Sequence, residues 1–179
     1  MSWIPWIRIE EDNSPNPEVQ NLYKQTKNPS NKQVSDTVKL NSLIPEVSIL
    51  LHELSQSISK NATGLTMREK EMSALIIAVY NGCVHWTSSH LKALGRVAKD
   101  DYFASKVAED YTKADLSKRE RLIADFTVKV TRSPNACSEN DIHQLREEDL
   151  SDKDILSLVQ LIGYYNMSTR LFESLSTIE

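Results

Sequence analysis

The chain has 179 residues, enough to bury a core in one domain without disulfides or a structural metal. A formal charge of −4 and a pI near 5.6, with scattered lysines and arginines, leave no basic cluster of the kind a nucleic-acid partner requires. Four glycines, six prolines and 40% hydrophobic residues suit a compact helical protein, and the longest apolar run, Ala74 to Tyr80, falls far short of the roughly 20 residues that cross a bilayer.

The N-terminus carries Trp3, Ile4, Pro5, Trp6 and Ile7 and then turns acidic. It lacks a basic segment leading into an apolar one, so no secretory signal is expected and a cytoplasmic location is the default, with Cys83 and Cys137 as reduced thiols. Pro5, Pro15 and Pro17 predict an extended arm over residues 1–17. From Glu18, Val19, Leu22 and Tyr23 fall at helical spacing, until the polar stretch Lys27 to Lys32 with Pro29 breaks the pattern and leads into Val34 to Leu43. Pro45 opens the next helix, in which Val47, Leu50, Leu51, Leu54 and Ile58 recur as one expected buried face.

Gly64 ends that helix, and Thr66 with Glu69 forms a capping-box start for a helix over 67–80. The second half of this helix is apolar on every side and must be enclosed by neighbours or by another subunit. Asn81-Gly82 interrupts it, and a second helix is expected from about Cys83 to Ala98, completing a helical hairpin over 67–98. Ser117 with Glu120 repeats the start signal before Leu122, Phe126 and Val130. That helix ends near Ser133-Pro134. Cys137 lies in the following turn, Ser138 and Asp141 are alternative caps for Ile142 to Leu145, and Ser151 caps a last helix carrying Ile155, Leu158, Val159 and Ile162. No strand-like alternation rises above this pattern and no repeat is visible. The fold class is all-α, a single helical domain over 18–179 behind the arm.

Chemistry concentrates between Glu71 and His90. A cysteine at position 86 would turn the segment into Cys-x-His-Cys-x-x-x-His, but Trp86 stands there. Residue 86 lies one turn from His90 on the same helical face. Cys83, seven residues before His90, is about 10 Å from it along the axis, at the helix N-terminus, where partial positive charge favours a thiolate. In an unbroken helix Glu71 would stand about 18 Å from Cys83, but a bend at residues 81 and 82 lets Glu71 and His90 face each other across two helices and share a proton. Each residue also has a plainer role: Cys83 as a small buried hydrophobe, His90 as a core histidine bonded to a carbonyl, Glu71 as half of a structural ion pair. His85 points away from the 86/90 face by helical spacing, which leaves a place at the site and exposure to solvent equally open. Cys137 reads as an incidental thiol, and His52 and His143 have no partner at metal-ligand spacing, so neither metal nor cofactor is expected.

Thr66-Met67-Arg68-Glu69-Lys70-Glu71, with Asn81, Cys83 and His90, resembles the alkylhydroperoxidase D-like group of the carboxymuconolactone decarboxylase family, in particular its peroxidase-related enzymes. Leu40-Asn41-Ser42 and Ile44-Pro45-Glu46 upstream, and Asp149-Leu150-Ser151-Asp152 through Tyr165-Asn166 to Arg170 downstream, extend the likeness over most of the chain. The resemblance implies an all-helical fold, assembly into a homo-oligomer (dimer, trimer or hexamer), and a site of one glutamate, two cysteines and two histidines. By position Glu71 and His90 match the proton relay, Cys83 the first cysteine and His85 the residue between the cysteines, while Trp86 replaces the second cysteine.

Three functions follow as expectations. The first is an antioxidant, peroxidase-related oxidoreductase that reduces a small hydroperoxide through Cys83, with Glu71 and His90 moving protons and an external thiol as reductant. The second is an acid-base enzyme of the decarboxylase type, acting on a small carboxylated substrate through His90 and Glu71. The third is a catalytically silent helical oligomer in which Trp86 plugs the substrate pocket or stacks on a flat ligand.

Overall fold

The computed structural model describes residues 3–179; Met1 and Ser2, the first residues of the expected arm, lie outside the described residues. The chain divides into two compact units, residues 3–57 with Ser174–Glu179, and Ile58–Glu173.

In the first unit, Pro17 occupies the first turn of α1 (Pro17–Thr26), and the Asn16 side chain accepts from the Glu18 amide. Ser35 caps the short α2 (Asp36–Leu40). Val19, Leu22, Tyr23 and Val38 form the small core of this unit, with Val34 and Ile49 packed on it. The N-terminal segment is tied down. The Tyr23 hydroxyl donates to the Glu10 carbonyl at 2.6 Å, and the Glu10 amide donates to Ser42 Oγ at 2.7 Å. Burial, with the nearby carboxylate of Glu11, pushes the Tyr23 hydroxyl up to about 12.

Two short strands add to the expected helices. β1 (Trp3–Pro5) pairs antiparallel with β2 (Ser176–Ile178), matching Trp3 with Ile178 and Pro5 with Ser176, and the Trp6 amide continues the ribbon to the Leu175 carbonyl at 2.8 Å. Three-residue strands are too short to display alternation, and their pairing partners lie at opposite chain ends.

Helix α3 (Pro45–Asn61) corrects one expectation. Val47, Leu50 and Leu54, expected on a buried face, are 42%, 56% and 46% exposed, and only Ile58 of that series is buried. Ser48 turns inward instead, its hydroxyl donating to the Val38 carbonyl at 3.1 Å. Helical periodicity identifies an apolar stripe; it does not identify what covers it.

The second unit holds α4 (Met67–Tyr80), α5 (Val84–Ala98), α6 (Asp101–Asp110), α7 (Lys118–Arg132), α8 (Glu139–Glu147) and the part of α9 (Asp152–Leu175) up to Glu173. The capping boxes at Thr66/Glu69 and Ser117/Glu120 form as the spacing predicts, and Ser138 pairs with Asp141 at the start of α8. Helix α6 is an addition to the predicted set. It starts at Asp100, whose side chain accepts from the Phe103 amide, and it buries Phe103, Ala104 and Val107. Met72 to Ala78 on α4 are buried all round. Helices α5, α6 and α7 enclose α4 within the unit, and complete burial of Leu75, Ile76 and Ile77 contributes about 1.5–3 kcal/mol each.

Arg119 ties three helix ends together. Its guanidinium donates to Glu69 Oε1, to the Glu148 carbonyl and to the Gly64 carbonyl, each at 2.6 Å. The Gly64 amide in turn donates to Asp154 Oδ1 at 3.0 Å, and a Cβ at Gly64 would come within 2.2 Å of that carboxylate. Among the described residues no helix is long and apolar enough to cross a membrane.

Candidate functional site

The hairpin between α4 and α5 builds the site. Asn81 ends α4 with its amide on the Ile77 carbonyl, and Gly82 follows at φ +69°, a left-handed backbone that glycine adopts without strain. A Cβ at Gly82 would meet nothing within 4 Å, so Gly82→Ala is expected to cost about 1 kcal/mol through backbone strain alone, and Gly82→Asn less. Denaturant unfolding of the two variants checks this. The bend is fastened from above: Asn81 Nδ2 donates to Asn166 Oδ1 at 3.0 Å and Thr169 Oγ1 at 2.9 Å, and Asn166 Nδ2 donates to Thr131 Oγ1 at 3.1 Å.

Across this bend Glu71 and His90 meet, with Oε2 and Nδ1 2.8 Å apart. A carboxylate oxygen only accepts, so Nδ1 donates and Nε2 of a neutral imidazole is left as an acceptor. The pair is largely withdrawn from water, with side-chain exposures of 19% for Glu71 and 7% for His90. Nε2 of His90 is buried and has no hydrogen-bond partner.

Aromatic rings surround the imidazole. Trp86 stacks on it with centroids 5.5 Å apart, and Tyr165 meets it edge-on at 4.8 Å. Phe172 stands edge-on to Trp86 at 5.1 Å and stacks on His85 at 4.3 Å. His85 is therefore half-buried against aromatic neighbours and not turned fully to solvent. Burial, with the Glu71 carboxylate nearby, drives the Tyr165 hydroxyl well above the usual phenol range. Tyr165 and Phe172 join the site from α9, outside the segment between Glu71 and His90. Their separation of seven residues, which puts them on one helical face, is the signal that the sequence holds for them.

Cys83 caps α5 and is fully buried. Burial pushes its thiol up from 9.0 to about 12, opposed by the amides of Trp86 and His85 and reinforced by the Glu173 carboxylate. Desolvation thus outweighs the helix-terminal field that led to the expectation of a thiolate. Because the folded state keeps this proton after the unfolded thiol has lost it, the stabilisation is complete below pH 9 and is lost as the pH rises towards about 12. Two results are expected: slow reaction with a disulfide reagent at neutral pH, and a steeper fall of unfolding midpoint over that pH interval in the wild type than in Cys83→Ala.

The other candidates do not join the site. Cys137 is a half-buried free thiol at the edge of the core, raised by burial, and Cys83 is likewise free. His52 is on α3, and His143 lies on α8 within 3.6 Å of Glu139. Among the described residues no three His, Cys, Asp or Glu side chains group as a metal site would require. Two open clefts, one near Tyr23 and Lys27 and one of about 260 Å³ between Tyr80 and Tyr111, do not include Glu71 or His90.

No family model matches the chain, and no curated protein matches it. Solved structures do. An uncharacterized peroxidase-related protein from Ralstonia eutropha JMP134, described as an alkylhydroperoxidase AhpD core, matches with a TM-score of 0.85 at 22% identity, over 96% of this chain and 90% of that one. An uncharacterized peroxidase-related protein from Silicibacter sp. TM1040 matches with a TM-score of 0.84 at 22% identity, over 95% and 88% of the two chains. A variant of the debrominase Bmp8 in complex with 2,3,4-tribromopyrrole matches with a TM-score of 0.74 at 14% identity, over 98% and 91%. At these identities the likeness is one of architecture, and the all-α chain has the fold of the alkylhydroperoxidase AhpD core.

Proposed function

We propose that this protein is an enzyme of the peroxidase-related, alkylhydroperoxidase D-like kind in which Glu71 and His90 transfer a proton to and from a small organic substrate. The observation that carries this reading is the buried 2.8 Å contact between Glu71 Oε2 and His90 Nδ1, which leaves Nε2 unpartnered among aromatic rings. Glu71 holds the imidazole in one tautomer and balances the imidazolium that forms when Nε2 takes a proton. No cofactor enters this step. Trp86 cannot form a sulfenic acid, so the two-cysteine cycle is closed to this chain.

One observation favours hydroperoxide reduction through Cys83: backbone amides of Trp86 and His85 approach the sulfur at the start of α5 and offset part of the rise that burial imposes on its thiol. In that reading the sulfur takes one oxygen from the hydroperoxide, giving an alcohol and a sulfenic acid. A first external thiol then displaces water to form a mixed disulfide, and a second restores Cys83. Assays of cumene hydroperoxide consumption with dithiothreitol, and of carbon dioxide release from a small carboxylated lactone, separate the readings. Proton-transfer chemistry requires Cys83→Ala to stay active in whichever reaction the wild type performs, and His90→Ala to fail.

A homo-oligomer is part of the proposal. Its support is the uncovered apolar stripe of Ile44, Val47, Leu50 and Leu54 in the first unit, the kind of face that self-association covers. Light scattering of the wild type and Leu50→Glu is expected to show a dimer, trimer or hexamer in the first and smaller species in the second.

A further inference from the structure

Two ring nitrogens, one turn apart on α5, are buried without hydrogen-bond partners: Nε1 of Trp86 and Nε2 of His90. They differ in character. The indole nitrogen only donates, and Nε2 accepts because Nδ1 is committed to Glu71. Their rings stack with centroids 5.5 Å apart and planes inclined by 27°. A hydroxyl group carries both complements, a hydrogen for the acceptor and a lone pair for the donor, so one such group can serve the pair. It would donate its hydrogen to His90 Nε2 and accept from Trp86 Nε1.

The surrounding surfaces narrow the ligand further. Tyr165 stands edge-on to His90, and Phe172 edge-on to Trp86, so the rings that carry the two nitrogens are themselves packed among aromatic side chains. Trp86 keeps part of its surface in solvent while covering the imidazole, which puts the indole on the route to His90. We infer that Trp86 and His90 together bind the hydroxyl of a small, flat unsaturated compound, a phenol or an enol, with Trp86 as an oxyanion donor and not merely as a plug. The inference rests on the proton relay proposed above. When the hydroxyl ionises, its O–H bond breaks, the proton moves to Nε2, and the oxyanion stays bonded to the indole N–H. No electron is exchanged.

Phenol is the probe, with toluene, which has no oxygen to donate or accept through, as its control. Calorimetric titration of the full chain is expected to show phenol bound about five- to tenfold more tightly by the wild type than by Trp86→Phe, which keeps an aromatic ring and removes the donor. Toluene should bind both proteins equally weakly. In the wild type, the Trp86 indole N–H resonance should move downfield on addition of phenol and not of toluene, a readout that stands even where Trp86→Phe folds poorly. Equal phenol affinity in both proteins, toluene binding as tight as phenol, an unmoved indole resonance, or no phenol binding would each overturn the inference. Binding is read without turnover. An inert His90→Ala effect on activity beside intact phenol discrimination would therefore remove the relay's catalytic role alone, and the converse pattern would remove only the hydroxyl site.

Discussion

His90→Ala is expected to lower turnover about 10²–10⁴-fold, the range lost when a positioned general acid-base group is removed. Cys83→Ala in the same assay should change it little. The contrast follows from where the groups sit. His90 has one nitrogen fixed by Glu71 at 2.8 Å and the other unpartnered, whereas Cys83 is fully buried and its thiol is held protonated, up to about 12. His90→Gln is the control for packing. It fills much of the same space and can accept a hydrogen bond but cannot relay a proton, so it should be nearly as inactive while remaining folded. A loss of activity in Cys83→Ala that equals the loss in His90→Ala would return the protein to thiol chemistry.

Arg119→Ala should be the most destabilising single change away from the site, costing about 3–5 kcal/mol in urea unfolding. The cost lies in what is left behind. The Glu69 side chain is only 4% exposed and would lose its cation, and the carbonyls of Gly64 and Glu148 would each lose a donor. Arg119→Lys should rescue only part of this, because one ammonium cannot reach three acceptors lying in the fork of a guanidinium. The exposed Lys106–Glu109 pair is the contrasting case, and Lys106→Ala should leave the unfolding midpoint almost unmoved. A midpoint for Arg119→Ala as high as that of Lys106→Ala would mean that the three helix ends hold together without the clamp.

Local signals were legible where the chain supplies both halves of an interaction within a few residues. Thr66 with Glu69 and Ser117 with Glu120 start helices where the spacing says they should. Helix α6 carries an equally local signal in Asp100, but its buried face is only Phe103, Ala104 and Val107, too small to stand out as a periodicity. Other expectations failed for a different reason. The stripe of Val47, Leu50 and Leu54 is a true helical face, but it stays exposed, and the buried position is Ser48. The ribbon of β1 and β2 joins segments whose pairing no short window can reveal. At the site, Tyr165 and Phe172 arrive from α9, far along the chain, and give His90 and His85 their surroundings.

The amino-acid sequence by itself determined the helical class, most helix starts, the break at Asn81-Gly82, and the spacing that allows Glu71 and His90 to meet across a hairpin. These rest on hydrogen bonds and steric preferences a few residues in range. Tertiary structure alone decided that Cys83 is a buried, protonated thiol, that Trp86 lies against His90 with both ring nitrogens unpartnered, and that part of α3 stays bare. Desolvation and packing depend on which remote side chains close over a group, and no spacing within one helix carries that information.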